Sequence, residues 1–176
     1  TFGSNASRDT LSRNSDQDNK TAAARPIERI SVLGAGTMGH GIAQVAAAAG
    51  YDVVMRDIDD DAIQRGLQAV VRNLSKGVQV GKVTEAEREQ TLQRIRVTTD
   101  IAEIRDSDLI IEAAPEKLEL KQNLLRETEA LVGSDCLFAT NTSSLSITEI
   151  AKASAWPAKV IGMHFFSPVH KMPLLE

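Results

Sequence analysis

The chain has 176 residues, 42% of them apolar and 25% charged, with a formal net charge of -4; that is enough to bury one core and ordinary for a globular domain. No apolar run approaches the roughly 18 residues that span a bilayer, and the acidic balance argues against a general nucleic-acid binder, so neither membrane nor nucleic acid is expected as a partner. Cys136 is the single cysteine; it excludes an internal disulfide framework and fits a reducing, cytoplasmic setting, and inside the apolar run "CLFAT" it reads as a buried, inert thiol.

Residues 1–27 are rich in Ser, Asn and Asp and carry no apolar period, so they read as a disordered tail. Asp9, Asp16 and Asp18 argue against a transit peptide, because such segments avoid acids. A domain is expected over 28–176. It opens with the β-rich "RISVLG", the glycine-rich "GAGTMGHG" and the alanine-rich "GIAQVAAAAG". "YDVVMRD" is a second strand ending on Asp57, and the region from Ile63 to Arg96, with "SKGVQVGK" in its middle, reads as a helical hairpin. "IIEAA", "CLFAT" and "KVIGMHFF" are further short apolar runs, separated by helical stretches such as "LELKQNLLRETEALV". Thr84 with Glu87, and Ser146 with Glu149, have the spacing of capping boxes at helix starts. Strands alternating with helices imply βαβ units and a mostly parallel sheet.

Gly34, Gly36 and Gly39 have the GxGxxG spacing, which is informative here because a predicted strand precedes it and a predicted helix follows. The first glycine permits the tight turn, the second lets backbone approach a pyrophosphate, and the third lets helix and strand pack closely. With Thr37 and Met38 between them, these residues would present N–H groups and a positive helix end to the phosphates of a dinucleotide. Asp57 closes the second strand at about the 20-residue distance where a carboxylate would accept the ribose hydroxyls. A carboxylate there favours NAD over NADP, although Arg56 beside it is of the kind that welcomes the extra phosphate. The alternative is that Asp57 caps the next helix. His40 reads as a helix-start residue.

His164 ends the strand candidate "KVIGMHFF", and "NTSS", Asn141 to Ser144, follows the strand candidate "CLFAT". In open α/β sheets ligands bind at the carboxyl ends of strands, so both clusters point at one crevice with the glycine turn. A hydride transfer from an alcohol needs a base for the hydroxyl proton, and histidine, with an ordinary pKa of about 6.5, suits that task. Glu176 is placed to fold back beside His164 and stabilise its charged form. Ser143 could hydrogen-bond the reacting oxygen.

Taken in order, "VLGAGTMGHGIAQVAAAAG", "EAAPEKLELK", "ATNTSSLSITEIA" and "GMHFFSPVHKMPLLE" resemble the L-3-hydroxyacyl-CoA dehydrogenase family, which includes 3-hydroxybutyryl-CoA dehydrogenases and the dehydrogenase part of fatty-acid oxidation multienzymes. The resemblance runs from about Arg29 to Glu176. It implies a Rossmann-type doubly wound α/β fold with a helical hairpin insertion, NAD as cofactor, and reversible oxidation of a (3S)-3-hydroxyacyl-CoA. His164 then matches the base and Glu176 its partner; Ser143 matches the contact to the substrate oxygen, with Asn141 lining the same pocket. Glu116 and Lys121 match nicotinamide-side contacts, the alternative being an ion pair at a helix start.

The family's coenzyme A lysine falls near Val80 and does not map, which leaves Lys76 and Lys82 as guesses. Ser167 stands where many members have asparagine. The resemblance further implies a C-terminal helical domain, read here as absent, through which full-length relatives would form homodimers. No metal site is assigned. Two other readings stay open: a non-catalytic nucleotide-binding protein that keeps the fold, and a dehydrogenase of a free hydroxy acid.

Overall fold

A computed structural model describes residues 26–176. The first strand, β1 (Arg29–Leu33), is followed by helix α1 (Gly39–Ala48) and strand β2 (Asp52–Arg56). Helices α2 (Asp60–Gln79) and α3 (Glu85–Gln93) lead into β3 (Ile95–Thr98). Then come β4 (Leu109–Glu112), α4 (Leu118–Glu129), β5 (Leu137–Thr140), α5 (Ile147–Ala151) and β6 (Val160–Gly162). All strand pairs are parallel and the order is β3-β2-β1-β4-β5-β6. The order reverses direction between β1 and β4, the switch point where such sheets leave a crevice at their carboxyl edge. This is the α/β, parallel architecture the sequence implied.

The central strands are buried on both faces, which is why they read as continuous apolar runs rather than as an alternation. On one face Ile30, Val32, Val53, Met55 and Ile111 pack with Ile42 and Ala43 of α1. On the other, Leu33, Ile110 and Phe138 pack with Ile104, Leu125, Cys136 and Ile150. Burial raises the Cys136 thiol to about 11, helped by the charge of Asp108, so it is an inert core residue at neutral pH. Ile27 also packs against the first core; residues 1–25, most of the expected tail, lie outside the described residues.

The hairpin is present, with two differences from the sequence reading. First, α2 runs on through "SKGVQ", because Ile63, Gly66, Val70 and Leu74 bury one helical face; the reversal comes at Gly81, whose φ of +68° suits glycine. Second, β3 is a strand that the sequence reading absorbed into the hairpin. "IRVT" is a half-exposed edge strand separated from α3 by Arg94 alone, so no turn residues announce it.

The capping box of Thr84 and Glu87 is complete. At Ser146 only half of it forms: the Ser146 hydroxyl accepts from Glu149 N–H at 3.3 Å, while the Glu149 carboxylate takes Lys152 at 2.6 Å instead. Among the described residues no helix is long and apolar enough to cross a membrane.

Candidate active site

The glycine turn joins β1 to α1 at the carboxyl edge of the sheet. A Cβ on Gly39 would come 1.7 Å from the Gly34 carbonyl oxygen, and one on Gly34 would come 2.8 Å from the Ala113 oxygen. Both glycines are therefore demanded by packing, the first against the turn and the second against the β4 exit. A Cβ on Gly36 would meet nothing within 4 Å; that position faces open space, where a ligand backbone could approach.

Helix α1 starts without a side-chain cap and without acids in its first turn, so no residue of the helix itself offsets its positive end. The Asp57 carboxylate accepts Ala35 N–H at 2.7 Å and Ile58 N–H at 2.7 Å. Asp59, not Asp57, caps α2 through Ala62 N–H at 2.8 Å, and Asp57 stays on the glycine turn. These features fit a dinucleotide: a bare helix start for diphosphate and a carboxylate at the end of β2 for ribose hydroxyls. His40 is a helix-start residue, its Nδ1 2.7 Å from the Gly36 carbonyl.

A polar network occupies the exits of β4 and β5. Glu112, the last residue of β4, is fully buried and Lys121 on α4 is 1% exposed. Lys121 Nζ lies 2.8 and 3.0 Å from the two Glu112 oxygens, 3.2 Å from the Ala114 carbonyl and 3.2 Å from Glu116. The Thr140 hydroxyl donates to Glu112 at 2.7 Å.

Glu116 then reaches across to the loop after β5. Its Oε1 accepts from the Thr142 hydroxyl, Ser143 N–H at 3.1 Å, and Ser144 N–H and Oγ, each at 3.2 Å. Burial alone would raise the Glu116 carboxyl, but the Thr142 hydroxyl, the Lys121 ammonium and the Ser144 N–H outweigh it and hold it at about 2. It is ionised at any working pH. Lys121 does pair with Glu116, as the ion-pair alternative had it, yet its ammonium is sunk beneath the surface. Glu116, with a side chain 37% exposed, is the member of this network that reaches the crevice.

Strand β6 ends at Gly162, short of the expected "KVIGMHFF", because the chain turns away after Met163 N–H bonds the Thr140 carbonyl at 2.9 Å. His164 thus lies just past a strand end. It pairs with Glu176 through backbone, N–H to carbonyl at 2.8 Å and 3.1 Å in the two directions. Phe165 and Leu175 extend this as an antiparallel bridge. The imidazole Nδ1 is 3.5 Å from Glu176 Oε2, and the ring lies against Phe166 with centroids 4.6 Å apart. Asn141 Oδ1 accepts Phe165 N–H at 2.9 Å, which ties the β5 exit to the segment bearing the histidine. Val169 closes the segment over Gly41 of α1.

Sequence-predicted site residues thus gather at one edge: Gly34, Gly36, Thr37, Met38, Gly39 and Asp57 on one side of the switch point, and Glu116, Asn141, Ser143, His164 and Glu176 on the other. Lys82 borders a separate cleft of about 390 Å³ between α1 and the hairpin. A cleft of about 470 Å³ lies at the opposite, amino edge, where Arg94–Asp52 and Arg96–Glu103 pair at 2.9 and 3.0 Å. Sequence reasoning missed Glu112, Thr140 and Thr142. A lone acid inside "IIEAA" was the available signal, since a buried carboxylate must find partners.

Fold and site define a dinucleotide-binding α/β domain that carries a histidine–carboxylate pair at the ligand edge of its sheet. The chain belongs to the family described as 3-hydroxyacyl-CoA dehydrogenase, NAD binding domain, which matches residues 29–176. It is 44% identical over 153 residues to the fatty acid oxidation complex subunit alpha of Psychrobacter arcticus, covering 87% of this chain and 21% of that one. A 3-hydroxybutyryl-CoA dehydrogenase from Clostridioides difficile is 43% identical over 148 residues, covering 84% and 53%. Among solved structures, a 3-hydroxybutyryl-CoA dehydrogenase from Escherichia coli superposes with a TM-score of 0.84 at 40% identity, covering 86% of this chain and 32% of that one. The chain therefore spans about a fifth to a half of the relatives it matches.

Proposed function

We propose that this chain is the cofactor-binding and base-bearing part of an enzyme that oxidises a (3S)-3-hydroxyacyl-CoA to the 3-oxoacyl-CoA with NAD. The observation that carries the reading is the meeting, at one sheet edge, of an uncapped glycine turn with its Asp57 and a histidine paired to Glu176. Bound NAD would supply the hydride acceptor. Gly34 to Gly39 would receive its diphosphate, Asp57 its ribose hydroxyls, and Glu116 would face the nicotinamide side, backed by Lys121.

With Nδ1 turned to Glu176, His164 has Nε2 available for the proton of the 3-hydroxyl. Proton removal builds positive charge on the ring, and the Glu176 carboxylate stabilises that charge and fixes the tautomer. Ser143 would donate to the same oxygen and orient it, while Asn141 holds the histidine segment in register through Phe165. In the reverse direction His164 returns the proton to the oxygen.

Calorimetry of the chain with NADH, NADPH and acetoacetyl-CoA in turn tests this. NADH should bind, NADPH about tenfold or more weakly because Asp57 repels its extra phosphate. Equal affinity for the two, or loss of neither on Asp57→Ala, would overturn the cofactor assignment. Absence of any acetoacetyl-CoA binding in the presence of NAD would leave the substrate side of the proposal without support.

A further inference from the structure

Glu112 is a carboxylate that the chemistry above does not use. It has no exposed surface, and its acceptor positions are filled: Oε1 by Ala114 N–H at 2.6 Å and Lys121 at 2.8 Å, Oε2 by Lys121 at 3.0 Å and Thr140 at 2.7 Å. Such a pair is a poor way to gain stability, because apolar residues of similar volume often serve as well. What a fully satisfied buried network does provide is fixed geometry.

The geometry it fixes can be followed outward. From Glu112 the contacts run through Lys121 to Glu116, and from Glu116 to Thr142, Ser143 and Ser144. The path begins at Thr140, the last residue of β5, and returns to the loop that leaves the same strand. Between those two points it crosses the exit of β4. The result is a polar ring that clamps both strand exits, with one carboxylate at its buried hub and another at its exposed rim.

We infer that Glu112 is a positioning residue: through Lys121 it holds Glu116, and through Glu116 it sets the loop that carries Ser143. The functional half of this rests on the reading of Ser143 and Glu116 given under Proposed function. The structural half, the coupling of a buried hub to a surface loop, stands by itself.

The test uses the whole chain with two readouts, amide hydrogen exchange at Ser143 and Ser144 and calorimetry with NADH. In Glu112→Leu combined with Lys121→Met, which removes both buried charges together, melting should stay cooperative and fall below wild type only by what the Ala114 N–H and Thr140 hydroxyl lose with their acceptor. Exchange at Ser143 and Ser144 should rise about tenfold and NADH affinity should fall about tenfold. Thr140→Val, which deletes the bond to the hub together with the long 3.4 Å bond from Thr142 N–H to the same hydroxyl, should move both readouts about threefold, and Thr140→Ser should restore them. Glu112→Gln, which leaves the Thr140–Thr142 bond in place, should raise exchange at Ser143 and Ser144 in the same direction, and it decides the matter if the double variant does not fold.

Wild-type exchange rates at Ser143 and Ser144 in the double variant, or in Thr140→Val, would overturn the coupling. Faster exchange with unchanged NADH affinity would overturn the positioning role. A wild-type chain that binds no NADH, but whose Ser143 exchange still depends on Glu112, would uphold the clamp and instead count against the cofactor reading.

Discussion

Two cation–carboxylate pairs sit at the same edge of the sheet and are built in opposite ways. Lys121 and Glu112 are 1% and 0% exposed and every polar atom is engaged. His164 and Glu176 are 30% and 66% exposed and stand 3.5 Å apart, held less by their side chains than by the backbone pairing beneath them. The buried pair cannot change partners without breaking the core around it. The exposed pair faces solvent, and in the proposed reaction it is the one placed to receive the substrate proton and return it. On the proposed function, the difference separates what fixes the site from what would work in it: the buried charges lie under the strand exits, and the imidazole lies on a loop past the last strand.

The comparison breaks first at Lys121. Lys121→Met alone leaves Glu112 buried with its charge uncompensated and should cost about 3–5 kcal/mol in urea denaturation. A loss below about 1 kcal/mol would mean that water reaches the pair, and the contrast with His164–Glu176 would fail. Next in size is the tie between the two regions. Asn141→Leu keeps the volume but removes the acceptor for Phe165 N–H, and a part-buried donor left unpaired should cost about 1–3 kcal/mol. Asn141→Asp keeps an acceptor and should recover most of that loss. Equal melting temperatures for the two variants would show that the tie contributes no stability.

The exposed side of this edge was easier to read in the sequence than the buried side. Glycine spacing, an acid ending β2, and a histidine at the end of an apolar run are local signals, and they led to Asp57, Ser143, His164 and Glu176 as neighbours of one crevice. The hub was not legible, because Thr140 lies 28 residues from Glu112 and meets it only through the pairing of β4 with β5, while Lys121 reaches Glu112 from α4. Lys121 shows the consequence. The resemblance matched both Glu116 and Lys121 to nicotinamide-side contacts; the Lys121 ammonium is buried, and Glu116 is the exposed member of the pair. Strand β3 escaped for a related reason: an edge strand with half-exposed residues carries too weak an apolar pattern to declare itself. Elements whose identity depends on a neighbour are the ones a linear reading loses.

Glu116, at the boundary between the two regions, gives a smaller effect with a definite sign. Its folded carboxyl is held at about 2, below the ordinary 4.5. The stability this lends is fully present above about pH 4.5 and is lost as pH falls from there toward 2. Because the side chain is 37% exposed, solvent screening reduces the contribution to about 1 kcal/mol. Glu116→Gln should therefore lie below wild type at pH 6 and approach it by pH 3, read as urea midpoints. Parallel pH profiles for the two proteins would show that Lys121 and the Thr142–Ser144 donors do not hold the carboxylate as described.

The smallest expected effect is at the His164–Glu176 pair itself. Glu176→Gln removes a charge whose side chain is 66% exposed and 3.5 Å from the imidazole, and exposed ion pairs typically contribute about 0–1 kcal/mol. The backbone pairing of His164 with Glu176 involves no side-chain atom, so the loop should keep its place. Melting temperature should change little, and the small difference that remains should shrink further at high salt, where exposed charges are screened. A salt-insensitive loss above about 1 kcal/mol would contradict this. It would mean that Glu176 is held as firmly as Glu112 and that this edge carries two structural pairs rather than one. With the expected result, the energetic silence of Glu176 in the unliganded chain is what a group reserved for charge appearing on His164 should display.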